Sequence, residues 1–173
     1  MCSIKSMELF ILRHGIAVER GTEGVKNDFD RRLTPEGEEK LRRITRAMRH
    51  LQLSFDWILS SPYVRARETA ELVASALALK KKIELQETLG ADSNPREFIA
   101  GLIRVADLPK RVLVVGHEPS LSTLASLLLT GNAQPCLSFK KGGLAKLTVG
   151  KLRVGRCATL EWILTPKQML LMA

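Results

Sequence analysis

Leu9-Phe10-Ile11-Leu12 runs without a polar break into Arg13-His14-Gly15. A run this short, β-favouring and bounded by a glycine predicts a buried strand that ends in a tight loop. Ligands of an open parallel α/β sheet bind outside the carboxyl ends of its strands. Arg13 and His14 therefore stand where a ligand would, a cation beside an imidazole. Gly15 can take a positive φ and lets that ligand come close.

The pattern repeats along the chain. Residues 16–33 show neither helical nor strand period and read as a loop over the end of the first strand. Thr34-Pro35-Glu36-Gly37-Glu38 opens a helix: an N-cap threonine, a proline at the first helical position and acidic residues at the positive helix end. Its apolar face is Leu41, Ile44, Met48 and Leu51. Phe55–Leu59 predicts a second strand, after which Ser61 is expected to cap and Pro62 to start a helix carrying Ala66, Ala70, Val73 and Leu77, with Arg65 in its first turn. A third strand is expected around Ile83-Glu84-Leu85. An amphipathic helix then uses Phe98, Ile99, Leu102, Ile103 and Ala106.

Arg111–Val115 reads as a central strand that ends at Gly116-His117-Glu118-Pro119. The helix after it starts at Pro119-Ser120 and stops at Gly131. The remainder alternates as strands, Leu144–Val149 and Ala158–Leu164, without a helix between them, which predicts an antiparallel hairpin at one sheet edge. The fold class is α/β: a three-layer α/β/α sandwich with a mostly parallel central sheet and an antiparallel edge at its C-terminal end. Residues 7–173 read as a single domain behind a dispensable extension, residues 1–6.

Composition narrows the function. With 173 residues and 45% hydrophobic content the chain can build a full globular core. It has no apolar run long enough to span a bilayer and no signal-like start, so a cytoplasmic protein without a membrane partner is expected. Three cysteines, Cys2, Cys136 and Cys157, and three histidines, His14, His50 and His117, show no metal-ligand spacing, so no metal and no cofactor are expected. The net charge of +9 is scattered in small clusters such as Arg42-Arg43, Lys80-Lys81-Lys82 and Lys140-Lys141, and aromatic residues are only 5%. That favours a basic surface that attracts anions over a nucleic-acid platform.

Three parallel strands thus end at Arg13-His14, just before Arg65, and at His117. Two histidines among arginines make a site for a phosphate dianion, since the guanidinium fork matches phosphate oxygens. A neutral imidazole there can attack phosphorus while the arginines and the second histidine stabilise the equatorial oxygens. Each residue also has a plain alternative. Arg65 and Arg67 could be exposed helix arginines, His117 a loop histidine bonded to backbone, and His50 a solvated residue at a helix end.

Four pieces in order resemble the histidine phosphatase, or phosphoglycerate-mutase-like, superfamily: Leu12-Arg13-His14-Gly15, Leu33-Thr34-Pro35-Glu36-Gly37, Ser60-Ser61-Pro62-Tyr63-Val64-Arg65-Ala66-Arg67-Glu68-Thr69-Ala70, and Val115-Gly116-His117-Glu118-Pro119. The short chain, with Arg31-Arg32-Leu33-Thr34 early and no large inserted lid, is similar to the SixA-type branch of small phosphohistidine phosphatases. The resemblance implies His14 as the phosphorylated nucleophile, with Arg13, Arg65 and His117 completing the phosphate pocket. Arg31 is implied as a further phosphate or substrate contact, with an exposed loop arginine as the alternative. Arg32 stands where the branch more often has proline.

Larger members of the superfamily carry a glutamate that protonates the leaving group. Glu87 and Asp92 are the candidates here, although neither lies in a clear family motif, and SixA-type members generally lack that acid. A protonated phosphoramidate leaves readily, so a P–N bond needs less acid help than a phosphomonoester. The expected substrate is therefore a phosphorylated protein, such as a histidine phosphotransfer domain. A small phosphorylated metabolite is the alternative within enzymes, and a weakly catalytic phosphoprotein-binding module the alternative outside them.

Overall fold

The computed structural model describes residues 6–79 and 83–173. Cys2, most of the expected N-terminal extension and the lysines at 80–82 lie outside the described residues. One six-stranded sheet organises the chain, in the order β3-β2-β4-β1-β5-β6. Its strands are β1 (Met7–Arg13), β2 (Trp57–Ser60), β3 (Ile83–Leu85), β4 (Arg111–Gly116), β5 (Leu144–Val149) and β6 (Ala158–Leu164). The first four pair in parallel, β5 pairs antiparallel with β1, and β6 antiparallel with β5. The predicted mixed sheet, with its antiparallel C-terminal edge, is what forms.

β1 and β4 are apolar along their length because both their faces are covered. Leu9, Ile11, Val112 and Val114 face one core, with Phe98, Ile99 and Leu102 of α3 (Pro95–Ile103) and Leu121, Leu124 and Leu128 of α4 (Ser120–Thr130). Phe10, Leu12, Leu113 and Val115 face the other, with Leu41, Ile44 and Met48 of α1 (Pro35–His50) and Ala66, Ala70 and Val73 of α2 (Val64–Ala76). The strand period of two thus feeds two helical layers.

Local chemistry sets the boundaries. Thr34 caps α1 by accepting from the Gly37 amide at 3.0 Å, and Pro35 takes the first helical position. Gly37 is required by crowding: a Cβ there would run into the Ile16 carbonyl. Gly131 ends α4 in the left-handed conformation at φ 84°.

Several boundaries differ from the sequence expectation. α2 starts at Val64, with Tyr63 as N-cap, so Ser61-Pro62 do not open it. Pro119 is the N-cap of α4 and not its first residue. α3 ends at Ile103, which is exposed, so only Phe98, Ile99 and Leu102 form its buried face. Gly15 does not need a positive φ. Its constraint is space, since a Cβ there would lie 2.6 Å from Leu41 Cδ1.

An additional helix, α5 (Pro166–Leu171), follows β6 and packs on α1 through the buried Met169. Its signal is a capping box. Thr165 accepts from the Gln168 amide at 3.3 Å while the Gln168 side chain accepts from the Thr165 amide at 2.8 Å. His50 is exposed at the end of α1, as expected, and its Nδ1 lies 2.8 Å from the Met172 carbonyl.

Candidate active site

Register brings the pieces together. Arg13 pairs with Gly116 across β1 and β4, and Ser60 with Val115 across β2 and β4. The chain leaves all three strands at one level: the His14 amide donates to the Gly116 carbonyl at 3.1 Å, and the Ser61 amide to the Val115 carbonyl at 2.9 Å. His14, Ser61 and His117 therefore meet at neighbouring strand ends, and the His14 and His117 rings lie 4.9 Å apart between centroids.

Arg65 arrives from the second residue of α2. Its turn is tied to β1 through Thr69, whose hydroxyl donates to the Arg65 carbonyl at 2.6 Å and accepts from the Gly15 amide at 3.1 Å. The arrangement is buried: His14 is 5% exposed, Arg65 4% and His117 2%. The alternative of Arg65 as a solvated helix arginine is thereby excluded.

Hydrogen bonding fixes the His14 tautomer. Nδ1 lies 2.7 Å from the Gly15 carbonyl, which only accepts, so Nδ1 carries the proton. Nε2 then has the lone pair, and it accepts from Arg65 Nε at 3.3 Å. The ring is held neutral, with its pKa lowered to about 2. Burial is the main cause and the adjacent His117 the next; the Gly15 carbonyl works against them, while Arg65 and Arg13 add to them. His117 is lowered to about 3, chiefly by burial and then by Arg65, with Asp28 opposing. Its Nε2 lies 2.8 Å from the Ser61 hydroxyl. Ser61 thus serves His117 and the Tyr63 amide in place of the helix cap expected of it.

Arg13 is anchored through Nη1 to the Phe139 carbonyl at 2.7 Å. Glu118 holds that segment, accepting from the Phe139 amide with one oxygen and from the Ser122 hydroxyl with the other, both at 2.5 Å. Two buried polar atoms of the cluster, Arg13 Nε and His117 Nδ1, have no hydrogen-bond partner. Buried polar atoms are nearly always satisfied, so a pair of orphans in one cationic pocket fits a ligand with several acceptor oxygens. The arrangement suits a tetrahedral oxyanion beside an unprotonated imidazole nitrogen.

Arg31 belongs to the same cluster by one intermediary. It is 16% exposed and pairs with Asp28 at 2.8 Å, and Asp28 in turn pairs with Arg65 at 2.8 Å. Glu87, in a single 3₁₀ turn (Glu87–Leu89), and Asp92 are both exposed. Among the described residues, no hydrogen bond, ion pair or ring contact joins either side chain to the cluster. Arg67 points to solvent and pairs with Glu71 at 3.6 Å.

Sequence reasoning missed Asp28, Ser61 as the partner of His117, Glu118, and an aromatic file at the mouth. In that file Phe29 lies 5.1 Å from Tyr63, and Tyr63 4.8 Å from His117. Asp28 carried one weak signal, an acid three residues before Arg31 in a stretch without period.

Comparison with known proteins points the same way. The family model described as histidine phosphatase superfamily (branch 1) matches residues 9–92. An uncharacterized protein of Picosynechococcus sp. is 36% identical over 86% of this chain and 88% of its own length. A phosphohistidine phosphatase SixA homolog of Haemophilus influenzae is 33% identical over 82% of this chain and 87% of its own. Among solved structures, the protein histidine phosphatase SixA complexed with tungstate superposes with a TM-score of 0.78, at 27% identity, over 93% of this chain and 98% of that one.

Proposed function

This chain belongs to the histidine phosphatase superfamily, in its SixA-type branch, and from that membership we propose that it is a phosphatase that removes phosphate from phosphohistidine on a protein, through a covalent phosphohistidine at His14. The observation that carries the reading is the state of His14. Its proton is held on Nδ1 by the Gly15 carbonyl, and its Nε2 lone pair lies among Arg13, Arg65 and His117.

The Nε2 lone pair attacks phosphorus, and the bond from phosphorus to the substrate's ring nitrogen breaks with its electron pair returning to that nitrogen. Arg13, Arg65 and His117 stabilise the equatorial oxygens, in a setting where buried donors act strongly. Water then attacks the phosphoryl group. The P–N bond to His14 breaks, orthophosphate leaves, and the proton from water goes to phosphate or solvent. The substrate imidazole, protonated before it departs, needs little further acid, which suits a site where neither Glu87 nor Asp92 bonds the cluster. The guanidinium groups supply the positive charge that phosphoryl transfer needs, so turnover is expected to survive EDTA; loss of activity restored by a divalent cation would refute this.

Rates on a phosphohistidine protein, on p-nitrophenyl phosphate and on metabolite phosphates, for wild type and His14→Ala, test the reading. Strong preference for phosphohistidine, a dead mutant and a ³²P label that appears on His14 alone are expected. Preference for a metabolite would leave the mechanism and replace the substrate. Binding of phosphoprotein without turnover would leave a recognition module instead of an enzyme.

A further inference from the structure

Asp28 lies in the loop between β1 and α1, in a turn closed by Asn27 Oδ1 accepting from the Asp30 amide at 3.1 Å. Three arginines converge on its carboxylate. Oδ1 takes Arg31 Nη1 at 2.8 Å and Arg20 Nε at 3.0 Å; Oδ2 takes Arg65 Nη2 at 2.8 Å. The Asp28 carbonyl takes Arg65 Nη1 at 2.5 Å. Burial pushes the Asp28 carboxyl upward, but the bonds from Arg31, Arg65 and Arg20 overcome it and hold the group well below the usual carboxylate range. The turn is itself fixed to the pocket, since the Phe29 carbonyl accepts from the Val64 amide at 3.1 Å, next to Arg65.

Arg65 therefore meets His14 with one edge only. Its Nε–H reaches Nε2 while both terminal nitrogens are held by Asp28. A carboxylate and a phosphate ask for the same guanidinium fork. A pocket with Arg13, Arg31 and Arg65 all uncommitted would hold inorganic phosphate as firmly as the group in transfer. Uniform binding of that kind adds nothing to the chemical step, because only interactions stronger in the transition state accelerate it, and tightly held product makes release slow. We propose that Asp28 is a built-in counter-anion. It aims the Nε edge of Arg65 at the phosphoryl group, and by taking a hydrogen bond from each terminal nitrogen of Arg65 and from Arg31 Nη1 it keeps product phosphate weakly held, so that it leaves.

This inference rests on the phosphatase reading above. Asp28 is a positioning residue, not a reacting one, and its signature is a pair of opposite effects. Asp28→Asn keeps size and an acceptor but removes the charge. It is expected to bind inorganic phosphate at least tenfold more tightly by calorimetry, and as a product inhibitor, while kcat falls at least tenfold and KM falls with it. Asp30→Asn, the same charge change at an exposed neighbour outside the arginine cluster, is expected to leave phosphate affinity as in wild type.

Phosphate affinity unchanged or weaker in Asp28→Asn overturns the proposal, as does equal tightening in Asp30→Asn. Should asparagine at 28 leave the chain unfolded, Asp28→Glu carries the test. With the charge kept, phosphate affinity stays within about threefold of wild type, and a tenfold tightening refutes the idea. Wild type that neither binds phosphate nor turns over would instead sink the function itself, a result distinct from wild type that does both while Asp28→Asn binds no more tightly.

Discussion

At the scale of single residues, the proposed chemistry depends on one imidazole remaining neutral. His14 is buried against the cationic side of the pocket, and its pKa of about 2 lies far below the ordinary 6.5. In the free protein its ring should therefore not titrate between pH 7 and pH 4. NMR of the imidazole nitrogens would show an Nδ1–H, Nε2-bare tautomer across that range. A midpoint near 6.5, or the opposite tautomer, would contradict the hydrogen bonding described.

The identities of Arg13, His14, Arg65 and His117 were legible in the sequence because each stands at or just after a strand end, where the motif and the topology agree. Arg31 was legible only as a candidate. What ties it in is Asp28, and a carboxylate in a loop without period carries no pattern that reveals what it faces. Ser61 was misread for a related reason. A serine before a proline is a good helix opener by local rules, and only the register of β2 against β4 brings its hydroxyl to His117.

At the scale of elements, the joint between β1 and α1 carries the most consequence. The Thr34 amide donates to the Ile16 carbonyl at 3.0 Å, and Gly37 packs against that same carbonyl. Gly37→Ala forces the two apart, at a cost of roughly 1–3 kcal/mol of stability, or a lower melting temperature by about 2–4 °C per kcal/mol. Because Ile16 follows Gly15 directly, activity should fall further than the loss of folded protein explains. A melting curve and a rate measured well below the midpoint would check both, and a variant with wild-type stability would show that the joint yields.

Element types were readable throughout the parallel part, where strands and helices alternate and each helix has an apolar face. α5 was not, because it is six residues long and directly follows a strand, so it has too few turns to display a period. Its capping box was the available signal.

At the scale of the whole molecule, two histidines that the unfolded chain would protonate near pH 6.5 are kept neutral in the fold to about pH 2 and about pH 3. Both folded values are depressed, so below pH 6.5 the unfolded state binds more protons and stability falls as the pH falls. Between pH 7 and pH 5 the loss is roughly 2 kcal/mol for each histidine. Urea unfolding at the two pH values should show most of that combined loss in wild type and about half of it in His117→Gln. A wild-type loss under about 1 kcal/mol would mean that the pocket admits protons without unfolding.

The grip on Arg13 bears on how such a chain drifts over generations. The contact that steadies this arginine from across the sheet is the carbonyl of Phe139, a group every amino acid carries. No codon change at position 139 can delete it; only a shift of the backbone can. The pocket side chains named above all precede residue 119, while the loop between α4 and β5 contributes main chain to them. A substitution at 139 therefore reaches Arg13 only through the path of the main chain, which the buried Phe139 ring, packed in the core, helps to set.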